Sequence, residues 1–249
     1  MVFDDHHSDI SYGKAHRPAL YNGPKPMNKQ ANHWAGAAGN DYAARSPGDL
    51  HSMVYFWQVL LMRNLGKGFQ PTSVIEFGAG MGTNLRALDH ALPHQEALHR
   101  TGVEINQDTC MHLAQHCETL ICSPLQELKP LPPADLTYTR GVLIHIPESD
   151  LPHVYDLLYH SSRRWIMVAE YYAPKRTMIP YRGQDNLLWK DDYAGYMIDR
   201  YPGLRLVDYC FIYHRDSRAP QDDVTYFLME KTFTVGDTLL TSNPGNAIL

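Results

Sequence analysis

The stretch Ser73-Val-Ile-Glu76-Phe-Gly78-Ala-Gly80-Met-Gly82 constrains the fold more than any other part of the chain. A short apolar run leads into three glycines at alternate positions, and helical spacing resumes over residues 84–92. This reads as a buried strand that turns sharply into a helix. Glycine lets the backbone reverse and approach a ligand closely, and the first turn of the helix brings N–H groups with no partner in the helix itself. In open α/β sheets such turns lie at the carboxyl edge, where ligands bind. The turn alone does not name the ligand, because nicotinamide enzymes place GxGxxG at the same point. Here the spacing is GxGxG, with Glu76 two residues ahead of Gly78.

The remaining pattern repeats the strand–helix rhythm. Apolar runs at 98–106, 119–123, 134–146 and 165–172 predict further strands, and helical periodicity appears at 108–118 and 148–162. A broad apolar face over 52–65 predicts a helix ahead of the glycine turn, and 187–201 reads as helical after an irregular stretch at 173–186. Two last strands are expected at 204–214 and 224–233. Their connector, residues 215–223, is too short for a crossover helix, so the final strand should run antiparallel. The expected architecture is α/β: a seven-stranded, mostly parallel sheet with helices on both faces. Residues 1–30 read as an N-terminal arm, 31–70 as a helical segment or lid, 71–233 as the main domain and 234–249 as a tail.

Composition narrows the partners. A net charge of −5 disfavours nucleic acid and anionic membrane, both of which need a basic field. The most apolar stretch, Val54 to Met62, is too short to span a bilayer, and the first residues lack the features of a signal peptide. Four cysteines without a CxxC pair are expected as free thiols, which fits a cytoplasmic location. The pairs His90/His94 and His112/His116 have no third ligand at a useful spacing, so no metal is expected.

The GxGxG turn with its leading acid resembles motif I of the class I, Rossmann-like methyltransferases, whose seven-stranded sheet also ends in an antiparallel hairpin. From about Trp34 to Lys231 the chain further resembles the methylases associated with pseudaminic acid biosynthesis. The segments that carry this likeness are Trp34-Ala-Gly36, Asp41-Tyr42, Arg140-Gly-Val-Leu-Ile-His145-Ile, Ala169-Glu-Tyr-Tyr172, Ile179-Pro-Tyr-Arg-Gly183, Tyr213-His-Arg-Asp216 and Pro220-Gln-Asp-Asp223. The resemblance implies S-adenosyl-L-methionine as methyl donor and a small polar acceptor near nonulosonic-acid sugar metabolism. It also implies an adenine contact from Cys122 and Ser123 after the third strand, although members of the family often carry an acid where this chain has Ser123-Pro-Leu.

The residues themselves suggest further roles. Glu104, at the end of the second strand, is placed to accept hydrogen bonds from two ribose hydroxyls, so it joins Glu76, Gly78 and Gly80 in the cofactor set. Arg140 follows the fourth strand and should face the same crevice. Trp34, Tyr42 and Arg45 form either a lid, with Arg45 near the cofactor's carboxylate, or an N-terminal brace. Candidate bases for an acceptor hydroxyl are His145, His214 and Glu170. Tyr171, Tyr172, Tyr181, Arg182 and Asp222 are candidates for holding the acceptor, since aromatic rings pack on sugar faces and arginine grips carboxylates with paired hydrogen bonds. Oxygen and nitrogen acceptors both stay open, including an N-methylated amino acid, peptide or other natural product, and a homodimer is possible. A nicotinamide oxidoreductase and a non-catalytic scaffold are the competing classes.

Overall fold

The computed structural model describes residues 28–45, 48–92 and 98–232. The expected tail at 234–249 and all but the last three residues of the expected arm at 1–30 fall outside them, as does His94. Seven strands form one sheet: β1 (Ser73–Phe77), β2 (His99–Glu104), β3 (Thr119–Cys122), β4 (Ala134–Arg140), β5 (Ser162–Glu170), β8 (Leu204–Ile212) and β9 (Val224–Lys231). Their spatial order is β3-β2-β1-β4-β5-β9-β8, with β9 antiparallel to both of its neighbours. The seven-stranded α/β expectation holds, and so does the antiparallel last strand.

Alternation along the strands divides the core into two layers. Val74, Leu136, Trp165 and Met167 meet Met53, Phe56, Trp57 and Leu60 of α3 (Leu50–Asn64) and Leu85 and Leu88 of α4 (Thr83–Ala91). Their sequence neighbours Ile75, Ile166 and Val168 face the opposite way, onto α6 (Leu151–His160) and α7 (Tyr193–Arg200). A period of two in strands buried on both faces produces this split. Two short helices, α1 (Lys29–Ala35) and α2 (Ala37–Arg45), precede α3, and α5 (Gln107–Leu113) follows β2.

The stretch 187–201 departs from its helical expectation. Thr177–Met178 (β6) and Trp189–Lys190 (β7) pair as a small antiparallel ribbon, and the helix begins only at Tyr193, where the Asp192 carboxylate accepts from the Gly195 N–H. Arg176 explains the local preference. It donates to the buried Asp191 at 3.1 Å and lies over the Trp189 ring, fixing this segment extended. The cysteine expectation is also corrected. Cys110 and Cys122 are joined as a disulfide, because α5 runs back along β3 and brings their Cα atoms to 6.2 Å, while Cys117 and Cys210 are free. Among the described residues no helix is long and apolar enough to cross a membrane.

Asp208 on β8 fastens α3 to the hairpin. Its carboxylate accepts from Arg63 Nε and Nη2 at 2.9 and 2.6 Å, from Asn64 Nδ2 at 2.9 Å and from the Tyr226 hydroxyl at 2.8 Å. Burial opposes its charge, but these bonds and the Arg63 charge outweigh burial and hold its pKa well below the ordinary carboxylate range. Asp208→Ala should therefore cost about 2 kcal/mol in urea unfolding at pH 7, because Asn64 and Tyr226 lose a buried acceptor while half-exposed Arg63 can rehydrate. A depressed carboxylate stabilises above its unfolded pKa and loses that contribution as pH falls, so the gap between native and variant should narrow below about pH 4.

Candidate functional site

The sheet order reverses direction between β1 and β4, and a cavity of 240 Å³ lies beyond the carboxyl ends of the strands there. The glycine turn forms its floor. Gly78, Gly80 and Gly82 all take positive φ, at 78°, 53° and 76°. At Gly78 a Cβ would lie 2.5 Å from a Val142 methyl, so the turn can sit against the β4 loop only without a side chain. A Cβ on Gly80 would meet no atom within 4 Å. The Gly78 and Ala79 N–H groups both donate to the Val103 carbonyl at 2.8 Å, which locks the turn onto β2.

Eight of the residues singled out from sequence line the cavity: Trp34, Tyr42, Gly78, Gly80, Glu104, Ser123, Arg140 and His145. Glu104 is buried, and its carboxylate accepts at 2.9 Å from each of the Gly80, Ile105 and Asn106 N–H groups. Burial raises its pKa against the pull of those bonds. Arg140 donates to Gln221 Oε1 at 2.7 Å, and Gln221 in turn donates to the Ser52 carbonyl, which ties the end of β4 to α3 and the last hairpin.

His145 packs on Trp34 with ring centroids 4.3 Å apart. Its Nδ1 lies 2.7 Å from the Leu187 carbonyl, which can only accept, so Nδ1 carries the proton and Nε2 keeps the lone pair. Burial lowers its pKa to about 4, so the ring is neutral at pH 7.

The other ten candidates lie outside the cavity wall. Glu76 is turned into the core, accepting from Asn84 on α4 at 2.8 Å and from the Tyr138 hydroxyl at 3.1 Å. It joins the strand to the helix on either side of the glycine turn. Glu170 accepts from the Val142 and Ile144 N–H groups at 3.2 and 3.3 Å, so it braces the loop that carries His145. His214 stands on the exposed hairpin end of the edge strand β8, paired with Asp223 at 2.9 Å and separated from β5 by β9. Cys122 is held by its disulfide to Cys110. Arg45 bonds the Asp41 carbonyl one turn back in its own helix and covers the Tyr42 ring. Tyr171 bonds Asp222, and Tyr172 packs on Phe227. Tyr181 packs against Trp34 and His145, and Arg182 lies over the Tyr181 ring.

Sequence reasoning passed over Gln30, Asn84, Asn106 and Gln126, all of which line the cavity. Asn106 carried a usable signal, since an Asn ahead of a helical run is a preferred N-cap, and its Oδ1 does accept from the Thr109 N–H. The others reach the cavity through contacts between elements remote in sequence and had no local signature.

Burial pushes the Glu76 carboxyl up to about 8 and Glu170 up to about 7, in both cases against hydrogen bonds that favour the charged form. An acid whose folded pKa is raised binds more protons folded than unfolded, so stability falls as pH rises from about 4.5 through the folded value. Glu76→Gln should flatten the native protein's loss of stability between pH 5 and pH 8 in urea titrations. An unchanged slope would show that Glu76 is ionised throughout this range.

No protein-family model matches the chain, and no curated protein sequence matches it. Solved structures do. A 1,6-didemethyltoxoflavin-N1-methyltransferase from Burkholderia thailandensis, with bound 1,6-didemethyltoxoflavin and S-adenosylhomocysteine, superposes with a TM-score of 0.61 at 14% identity, covering 90% of this chain and 99% of that one. Magnesium protoporphyrin IX methyltransferase from Synechocystis PCC 6803, with bound SAH, gives 0.57 at 13% identity over 81% and 98% of the two chains. The plantazolicin methyltransferase BpumL, in complex with SAH, gives 0.57 at 11% identity over 82% and 94%. Together with the strand order and the glycine turn at the head of α4, these likenesses establish that the chain has the class I methyltransferase fold.

Proposed function

We propose that the chain is an S-adenosyl-L-methionine-dependent methyltransferase that methylates an oxygen or nitrogen of a small polar acceptor, a sugar acid or related natural-product intermediate. The observation that carries this reading is the shared wall of one cavity: the glycine turn at Gly78–Gly82 and the Glu104 carboxylate on one side, Arg140, Trp34 and His145 on the other. The donor end suits a nucleoside, with a backbone bare enough for close approach and a buried acid to accept from ribose hydroxyls. Ser123 lies in the same wall and fits an adenine contact. Arg140 offers the fixed positive charge that a carboxylate requires. Fold neighbours crystallised with S-adenosylhomocysteine or SAM bound support the same donor, and one of them also holds 1,6-didemethyltoxoflavin and another a monoazolic desmethylPZN analog.

The donor supplies a methyl group activated on a sulfonium, and the residues of this chain have to align the acceptor and exclude water. Trp34 and Tyr42 enclose the cavity from the α1–α2 side. His145, neutral and fixed by Leu187, offers Nε2 to the proton on the acceptor heteroatom. With a pKa near 4 it passes that proton readily to solvent. Glu170 holds the loop that sets this geometry and takes no proton from the acceptor.

Calorimetric titration with S-adenosylhomocysteine tests the reading directly. Saturable binding is expected for the native protein and none for Gly80→Arg, whose side chain would enter space free of protein atoms in the cavity. Because the positive φ at Gly80 strains any side chain, circular dichroism and urea unfolding must show that the variant is folded. A folded native protein that does not bind would overturn the assignment. With an acceptor in hand, His145→Ala should lower kcat about 100-fold for a hydroxyl acceptor. Activity close to native would instead identify an amine, which can lose its proton to solvent.

A further inference from the structure

Apart from Trp34, whose ring packs on His145 and Tyr181, the two helices that close the cavity make few apolar contacts with the domain beneath them. Within α1 and α2 only Ala31 and Gly39 are buried. Polar contacts hold them instead, and most converge on one residue. Asn106 Nδ2 lies 2.6 Å from Asn40 Oδ1, and at 3.3, 3.4 and 3.3 Å from the carbonyls of Trp34, Ala35 and Gly36. One of its two hydrogens serves Asn40, and the other is shared among the three carbonyls at the break between α1 and α2, of which that of Gly36 also accepts from the Gly39 and Asn40 N–H groups at 3.0 and 3.3 Å. Four surrounding oxygens on one side and the Thr109 N–H on the other fix which end of the amide is nitrogen. Asn40 strengthens the joint by donating to Asp108 Oδ2 at 2.6 Å. Gly39 permits the approach, because a Cβ there would lie 2.0 Å from the Trp34 carbonyl and 2.9 Å from Asn106 Nδ2.

The same residue reaches the donor end through its backbone, whose N–H donates to Glu104 Oε1 at 2.9 Å. Asn106 is buried and lines the cavity, but its side-chain amide is engaged by the cap and by the Thr109 N–H. We propose that Asn106 is a positioning residue that fastens the α1–α2 cap over the cavity and couples the cap to whatever occupies the Glu104 carboxylate. The coupling rests on the methyltransferase reading; the fastening does not. Its consequence is selectivity for acceptors small enough to be enclosed beneath Trp34 and Tyr42, with donor binding and cap closure favouring each other reciprocally.

Asn106→Asp separates this role from helix capping. Aspartate caps a helix as well as asparagine does, but it turns a carboxylate toward three backbone carbonyls that cannot reorient. In hydrogen–deuterium exchange of the full chain, the variant should exchange the amides of 29–45 at least tenfold faster than native, with β1, β4 and β5 unchanged. Its affinity for S-adenosylhomocysteine should fall about tenfold, and ligand, expected to slow cap exchange in the native protein, should no longer do so. Asn40→Ala removes the shortest contact from the cap side, together with the bond to Asp108, without changing a residue of α5, and its effect on cap exchange should be smaller in the Asn106→Asp background than alone. Native-like cap exchange in both single variants would overturn the proposal. If Asn106→Asp loses protection across the whole sheet, Asn40→Ala alone decides the fastening. Failure of the native protein to bind S-adenosylhomocysteine would remove the methyltransferase reading and the coupling, and the exchange data would still judge the latch.

Discussion

Three buried glutamates at the carboxyl ends of strands hold together the loops from which the cavity is made. Glu76 near the end of β1 joins the strand to α4 across the glycine turn, Glu104 gathers three N–H groups at the end of β2, and Glu170 supports the loop after β4 from the end of β5. Some N–H groups of the loops at this edge bond backbone carbonyls, as Gly78 and Ala79 bond Val103, and others turn to these acids. A carboxylate with two oxygens can serve several donors at once. Burial of the acid is the cost, and it shows in the raised pKa of all three. The arrangement gives a rigid rim in which Gly80 and His145 take fixed positions.

The cap follows a different logic. It covers the rim through hydrogen bonds at Asn28, Gln30, Asn40 and Asn106, reaching Asp150, the Asn186 carbonyl, Asp108 and the α1–α2 elbow. Such contacts exchange readily for water, so this part of the molecule sits at the low end of its stability range, while the sheet beneath is held by two apolar layers. On the proposed methyltransferase reading, a site that has to admit a donor and an acceptor and then exclude water suits this division between a floor held by apolar layers and a polar cover.

The sheet was legible because its signals are local. The apolar run through Val74 and Ile75, both buried, and the glycines at 78, 80 and 82 each impose backbone geometry within a few residues. Where a contact remote in sequence competed, local reading failed. The apparent helix at 187–192 became an extended segment because Arg176 and Asp191 needed each other, and Cys110 met Cys122 because α5 folds back along β3. Glu170 and His214 read alike as candidate bases, since sequence does not say whether a polar side chain turns toward a cavity, a backbone loop or solvent.

The sequence by itself determined the strand order's ingredients, the position of the glycine turn and the acid at the end of β2, because these depend on periodicity and on glycine's backbone freedom. Tertiary structure decided which polar residues share a cavity. It brought Trp34 onto His145 and Asn106 under the α1–α2 elbow, and it set Glu76 against Tyr138 and Glu170 against the Val142 N–H. The physical reason is that a polar side chain is directed by whichever unsatisfied donor or acceptor lies within about 3 Å once the chain has folded, and those partners come from segments far apart in sequence.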